Sequence, residues 1–333
     1  MKFHLVLLVL LLLVPAAYGH VPLLPEGNDN ISSAEYISDP NKSWAVYSQL
    51  NSGKAEAEYY SFDVQKGDRI YLSLLSSSDP KEEGFEPNMA LLGPGLALEG
   101  DLPGYVKLPE GYGFVAVQGQ RAEEATYEPF GPSSYYQQAL LDIAAPESGR
   151  YYAAVYDNQS GGHYSLALGY KEEYSFTERI ITPIRLVSVY LWEGQRLITI
   201  ITPWLVAALV GIFVILRSPR RTPFFSTGTM AGFLFLGTGA SVLTQITFNL
   251  TRAPVGAGLK LGISLFLVLL PVILGVAALR LARGEAGILQ RSLMAVIGTI
   301  GLLAGSGFII GSLLAIMASV LPSRRGRRGI ANK

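Results

Sequence analysis

Cysteine is absent from all 333 residues. That excludes disulfides, thiolate metal sites, iron–sulfur clusters and cysteine nucleophiles at once. Histidine is scarce, with three in the whole chain. Acidic residues nearly vanish from the second half, where residues 179–333 hold only Glu193 and Glu285 beside 16 Lys and Arg. Inside the long apolar segments of that half there is no His, Asp or Glu. Proton relays, carboxylate ion sites and intramembrane aspartyl or Ser–His proteolysis all need such groups. Gly305-Ser306-Gly307 therefore lacks the histidine that would activate Ser306. The first half also lacks a metalloprotease helix, a nucleophile elbow and a phosphate loop. These absences together lead us to expect a protein that is not an enzyme.

What is present divides the chain in two. Residues 20–178 carry 24 Asp and Glu against 9 Lys and Arg, so the formal net charge of zero is a cancellation between an acidic half and a basic, apolar half. The basic residues sit at the ends of hydrophobic runs, as lipid-facing proteins place them, and not in a nucleic-acid patch.

Lys2 and the apolar run Leu5–Val14 read as a signal peptide over residues 1–19, since ten residues are too short to span a bilayer of ~30 Å. Small residues at Ala17 and Gly19 suit signal-peptidase cleavage, which leaves His20 at the head of the mature chain. Four Asn-x-Ser/Thr sequons follow, at Asn30, Asn41, Asn158 and Asn249, which mark the protein as a candidate glycoprotein. N-glycosylation without cysteine fits an archaeal cell surface.

Residues 20–173 read as an all-β jelly-roll-like sandwich. Candidate strands are 44–50, 59–64, 70–75, 89–92, 114–118, 135–143, 151–156 and 164–170, separated by Gly, Pro, Asn and Asp clusters. Glu58–Leu74 stands out: Tyr60, Phe62 and Val64, then Ile70, Leu72 and Leu74, alternate with polar partners around Gln65–Asp68. The pattern predicts a hairpin with one face buried. The loops Asp79–Pro87 and Glu123–Pro132 are candidate contact surfaces.

The order Glu26-Gly27-Asn28-Asp29, Glu58-Tyr59-Tyr60-Ser61-Phe62, Lys66-Gly67-Asp68, Ser148-Gly149-Arg150-Tyr151-Tyr152-Ala153-Ala154-Val155 and Tyr164-Ser165-Leu166 resembles the pre-peptidase C-terminal domain. The resemblance covers about residues 25–170. It implies a jelly-roll-like module of secreted proteins that serves adhesion or targeting. Where that family has an acidic residue before the central Gly-rich turn, this chain reads Pro87-Asn88-Met89-Ala90-Leu91-Leu92. Some relatives carry calcium where the acidic N-terminal segment meets the Tyr-Tyr strand, which the motif match puts at Asn28, Asp29 and Glu58. Hard oxygens from Glu26 as well would suit that ion. A second candidate metal site pairs the α-amine and ring of His20 with His163 around copper.

From residue 174 the period changes. Ser175-Phe176-Thr177-Glu178 matches a capping box, and Ile180, Ile181, Ile184, Val187 and Leu191 recur at helical spacing. Residues 174–196 thus form an amphipathic juxtamembrane helix, lying on the membrane or packed on the sandwich. Four transmembrane helices are expected at 197–216, 228–248, 261–279 and 292–321, before a basic tail at 322–333. With the sandwich outside, the loops Arg217–Pro223 and Arg280–Arg291, with three arginines each, fall inside. Four spans leave the basic tail outside, against that rule; a re-entrant last segment would keep it inside. Gly228/Gly232, Gly301/Gly305 and Gly307/Gly311 are small-xxx-small pairs for helix packing. Gln245 and Thr244 are the polar groups an uncharged channel would use.

The leading expectation is a multi-pass cell-membrane protein presenting its sandwich to a protein, polymer or ion outside the cell, with lipid around its helices. An extracytoplasmic copper-binding protein and an accessory subunit of a membrane complex are the alternatives.

Overall fold

In this computed structural model, residues 19–158, 160–252 and 258–323 are described. Residues 1–18, with the expected signal segment, and the tail from residue 324 lie outside them.

Alternation of apolar and polar residues builds two six-stranded sheets. One runs in the order β1 (Val21–Leu23), β3 (Trp44–Leu50), β12 (Gly162–Leu168), β5 (Arg69–Ser77), β10 (Ser133–Ala144), β9 (Thr126–Glu128). The other runs β2 (Glu35–Tyr36), β4 (Glu56–Val64), β11 (Gly149–Asp157), β6 (Asn88–Gly93), β8 (Gly113–Val117), β7 (Leu98–Glu99). Val46, Leu72, Leu74 and Leu166 of the first sheet meet Tyr60, Phe62, Leu91 and Val155 of the second in one core. Each expected strand overlaps a β-strand, while the short edge strands β1, β2, β7 and β9 escaped the pattern. Three edge pairs, β1–β3, β2–β4 and β7–β8, are parallel, which departs from an all-antiparallel jelly roll.

The Glu58–Leu74 stretch is not a hairpin. β4 pairs with β2 and β11, β5 with β10 and β12, so Gln65–Asp68 crosses from one sheet to the other. Both strands still aim their apolar side chains at the common core, so alternation cannot separate a crossing from a hairpin. The crossing from β10 to β11 lies beside it: Gly67 N–H donates to Ala145 O and Ala145 N–H to Asp68 O, both at 2.8 Å.

Helix α1 (Phe176–Trp192) opens on the expected capping box, with Ser175 Oγ accepting from Glu178 N–H and the Glu178 carboxylate from Ser175 N–H. One face packs on β1 and β3 of the sandwich. Val189, Tyr190 and Trp192 are buried, while Phe176, Ile181 and Ile184 are exposed on an apolar face. Gly194 turns the chain at φ +80°, where a side chain would collide with Asp79.

Three helices are long and apolar enough to cross a membrane: α2 (Leu197–Arg217), α3 (Pro223–Arg252) and α4 (Gly258–Arg283). Pro203 and Pro271 lie within α2 and α4. The expected fourth span is instead two short helices, α5 (Ile288–Leu303) and α6 (Ile310–Val320). Their connection runs through Gly305, Gly307, Phe308 and Ile309, with φ between 49° and 71°, a left-handed stretch no helix can continue through. The two pack antiparallel: Arg291 at the start of α5 donates to Ser319 O near the end of α6. Pro322 O then accepts from Phe224 N–H at the start of α3, so the chain returns to the end of the bundle where α3 begins.

Small residues let these helices close up. A Cβ on Gly232 would lie 3.0 Å from Gly275 O, and one on Gly228 3.0 Å from the Ala282 Cβ. Gly301 faces Phe235 and Ser312, and Gly311 faces Leu234. Gly305 and Gly307 lie in the turn between helices at positive φ, where Gly305 meets Pro183 and Gly307 meets Phe235.

Candidate functional site

The sandwich rests on the helices through the sheet that contains β1, β3, β9 and β10. Where the two meet, apolar packing gives way to a buried polar network. Asn249, 1 % exposed, donates through Nδ2 to Pro132 O at 2.7 Å and accepts at Oδ1 from Ser134 Oγ at 3.1 Å. Ser134 Oγ lies 2.8 Å from Ser78 Oγ. Gln245 and Gln195 exchange side-chain bonds of 2.6 and 3.1 Å. Tyr127 donates to Ser264 Oγ at 2.9 Å, and Ser264 donates to Pro129 O at 2.8 Å. Arg252 pairs with Asp79 at 3.3 Å and donates to Glu193 O. Buried bonds of this kind are costly to break, since each severed partner is left without water.

Glu193 sits at the centre, 3 % exposed. Its Oε2 accepts from Gln195, whereas Oε1 has no hydrogen bond among the described residues. Ser133, Tyr135, Tyr47, Tyr190 and Arg252 surround it. Burial pushes the carboxyl up to about 7, against hydrogen bonds and the Arg252 charge that favour the anion. Trp192 anchors the end of α1 nearby, donating to Ser48 O at 2.7 Å and touching the rings of Tyr47, Tyr135 and His163.

Beside the network lies a cavity of about 240 Å³ between sandwich, α1 and bundle. His20, Glu128, Tyr174 and Arg179 line its polar end; Trp204, Val242, Phe266, Leu270 and Phe308 line the rest. Tyr174 donates to His20 O at 2.6 Å, and Glu128 Oε1 accepts from Phe130 N–H at 3.0 Å. Burial raises the Glu128 carboxyl, and burial lowers the His20 imidazole.

The expected metal sites are not assembled. His20 contacts Ser43 at one end of β3, while His163 pairs with Gln49 at the other. Six residues of strand separate them, roughly 20 Å at 3.3 Å per residue. His163 is bonded to Glu82 at 2.5 Å and covered by Trp192, so it does not stand free in water. In the expected calcium set, Glu58 Oε2 is taken by the Tyr60 and Tyr164 hydroxyls, and the buried Asn28 is tied to Tyr59 O. Glu26 and Asp29 are exposed, and no group of three or more His, Asp or Glu that could hold a metal occurs among the described residues.

Among the sequons, Asn30 and Asn158 are exposed and Asn41 is half-buried, but Asn249 is built into the junction, where a glycan on Nδ2 would displace Pro132. Gln245 is held by Gln195, and Thr244 bonds its own helix at Ala240 O. The loops expected to meet partners meet the chain's own helices: Asp79 takes Arg252, and Tyr127 and Pro129 take Ser264. The junction itself went unread. Its signal was Gln245, Asn249 and Arg252, polar residues at i, i+4 and i+7 on one face of an apolar helix.

No family model matches the chain, and the curated proteins contain no match to it. Among solved structures, PliG of Salmonella Typhimurium, a periplasmic inhibitor of g-type lysozyme, is similar at 16 % identity and TM-score 0.22, over 41 % of this chain and 100 % of that one. The pre-peptidase C-terminal domain of a Bacillus anthracis collagenase is similar at 20 % identity and TM-score 0.23, over 40 % and 91 %. The copper-binding secreted protein MopE of Methylococcus capsulatus, in a mercury-soaked form, is similar at 14 % identity and TM-score 0.20, over 46 % and 91 %. At such scores no argument rests on these likenesses.

Proposed function

We propose that the chain is a non-enzymatic membrane protein that holds its β-sandwich outside the cell as a fixed binding head. The observation that supports this most is the buried polar junction, which docks one sheet on the helices and leaves the other turned away. In this reading α2, α3 and α4 cross the bilayer, while α5 and α6 enter and leave from the inner side. Arg324, Arg325, Arg327, Arg328 and Lys333 then stay with the inner arginines, as the positive-inside rule favours. Over the outward sheet, residues 98–112 expose Glu99, Asp101 and Glu110 beside one cation, Lys107, which suits a basic partner or polymer. The accessory-subunit reading draws support from α2, whose Leu205, Leu209, Phe213 and Leu216 are exposed along the helix. Lipid or a neighbouring helix would cover them.

The cysteine-free chain makes the test direct. Single cysteines at Asp101, Ser218 and Ser323 in intact cells are probed with a membrane-impermeant maleimide. Asp101→Cys is expected to react alone. Labelling of Ser323→Cys would overturn the inner placement of the tail. A photo-crosslinker on Asp101→Cys should then give adducts in native membranes that high salt suppresses. An absence of adducts from both Asp101→Cys and Glu110→Cys would end the binding-head reading.

A further inference from the structure

The cavity beside the junction has two unlike ends, and the contrast between them carries chemical information. Its walls come from four places: the sandwich, α1, the bundle and the turn between α5 and α6. The polar end lies at the level where sandwich meets helices. The apolar end lies among helices whose composition suits lipid. Phe266 belongs to both the cavity wall and the outer surface of α4, where it is 42 % exposed. The apolar end therefore reaches the face that lipid covers, and a hydrocarbon chain has a lateral way in.

We propose that this cavity binds a single-chain amphiphile with an uncharged, hydroxylated head, its chain lying against Trp204, Val242, Phe266 and Leu270. Size favours one chain: about 240 Å³ is below the ~300–1,000 Å³ of drug-sized pockets, too small for both chains of a diacyl lipid. Charge selects the head. Glu128 opposes a phosphate, and Arg179 together with Lys260, which acts on Glu128, opposes a quaternary ammonium. A hydroxyl suits both, since it can donate to a carboxyl and accept from a polar group of the same wall. The apolar walls reward the chain through removal of its surface from water.

The turn at the far wall supports a binding role. Phe308 lines the cavity with φ 49°, next to Ile309 at φ 62°. A β-branched residue in the left-handed region is a genuine outlier, and such strain concentrates at ligand clamps and switch regions. Gly307 N–H is held by Thr238 Oγ1 at 2.9 Å, and Trp204 Nε1 donates to the same oxygen at 3.1 Å. Cavity wall and strained turn are thus one hydrogen-bonded unit.

The test uses the full chain in nanodiscs and the indole of Trp204, with Trp44 and Trp192 changed to Phe. A chain-brominated monoacylglycerol is titrated against a chain-brominated phosphatidylcholine in the same host bilayer. The monoacylglycerol is expected to quench Trp204 saturably, at a mole fraction about tenfold lower than the phospholipid, equivalent to about 1.4 kcal/mol of preference. Val242→Trp, read by native mass spectrometry, should lose the retained monoacylglycerol, and Leu205→Trp on the exposed face of α2 should keep it. Equal, non-saturating quenching by both lipids would overturn the proposal even if neither tryptophan variant folds. Retention unchanged in a folded Val242→Trp protein would overturn it as well.

Discussion

Between the two sheets the core is filled by Tyr60, Phe62, Tyr151 and Tyr164, whereas the helices close over Ala231, Ala277, Ala278, Ala315 and Ala318. The first core removes large apolar surfaces from water and spends its few polar atoms on each other: the Tyr60 and Tyr164 hydroxyls, 2.5 Å apart, both reach Glu58. In the proposed bilayer setting the second cannot use that force, because lipid is as apolar as leucine. It gains by close approach instead, with the Gly232 and Gly275 backbones nearly touching. The head packs large side chains against one another, while the bundle sets large ones such as Phe235 and Ile297 among close Gly and Ala contacts.

The contrast is testable by variants that strike one mode at a time, with strand and helix signals followed separately by circular dichroism. Leu74→Ala removes a fully buried side chain from the sandwich. It is expected to cost about 2–5 kcal/mol and lower the strand transition first. If the helix signal falls with it, the two cores unfold as one unit and the contrast fails.

The junction carboxyl should produce the next largest effect. Glu193 keeps its proton up to about 7 when folded, against an ordinary value of 4.5. Its contribution is fully present below pH 4.5 and is lost as pH rises through 7, a loss on the order of 3 kcal/mol. Melting of the solubilised protein should therefore fall between about pH 4.5 and 7 and level off above that, and Glu193→Gln should flatten that slope. An identical slope in the variant would assign the pH dependence elsewhere.

Gly232→Leu drives a side chain into Leu279 and the Gly275 carbonyl. A cost of about 1–3 kcal/mol is expected on the helix signal alone. A strand signal that moved equally would blur the distinction between the two cores.

The same contrast explains what was legible beforehand. Alternating large residues announce strands, so β3 was read to the residue and every long strand was found. Pairing was not readable, since Tyr60, Phe62, Ile70 and Leu72 point at the core whether β4 and β5 pair or part. In the bundle, uniform hydrophobicity marked three helices well and hid the fate of the fourth segment. A re-entrant last segment stood as an alternative, but the reversal depends on Phe308 and Ile309, residues whose type does not favour positive φ. The candidate metal residues were the least legible. Proximity of His20 and His163 is a property of register, and the tyrosines that occupy Glu58 were read only as core.

The reversal at Gly305–Ile309 also bears on the order in which the molecule is built. Helices of 16 and 11 residues are about 24 and 16 Å long, short of a ~30 Å hydrocarbon layer, so neither α5 nor α6 is a stable membrane passenger by itself. Their non-helical connection is tolerated at that depth only when other protein surrounds it. The partner that receives Gly307 is Thr238, midway along α3. In the proposed bilayer setting, the C-terminal pair is expected to settle as a hairpin against α3, in a groove that the earlier helices have prepared.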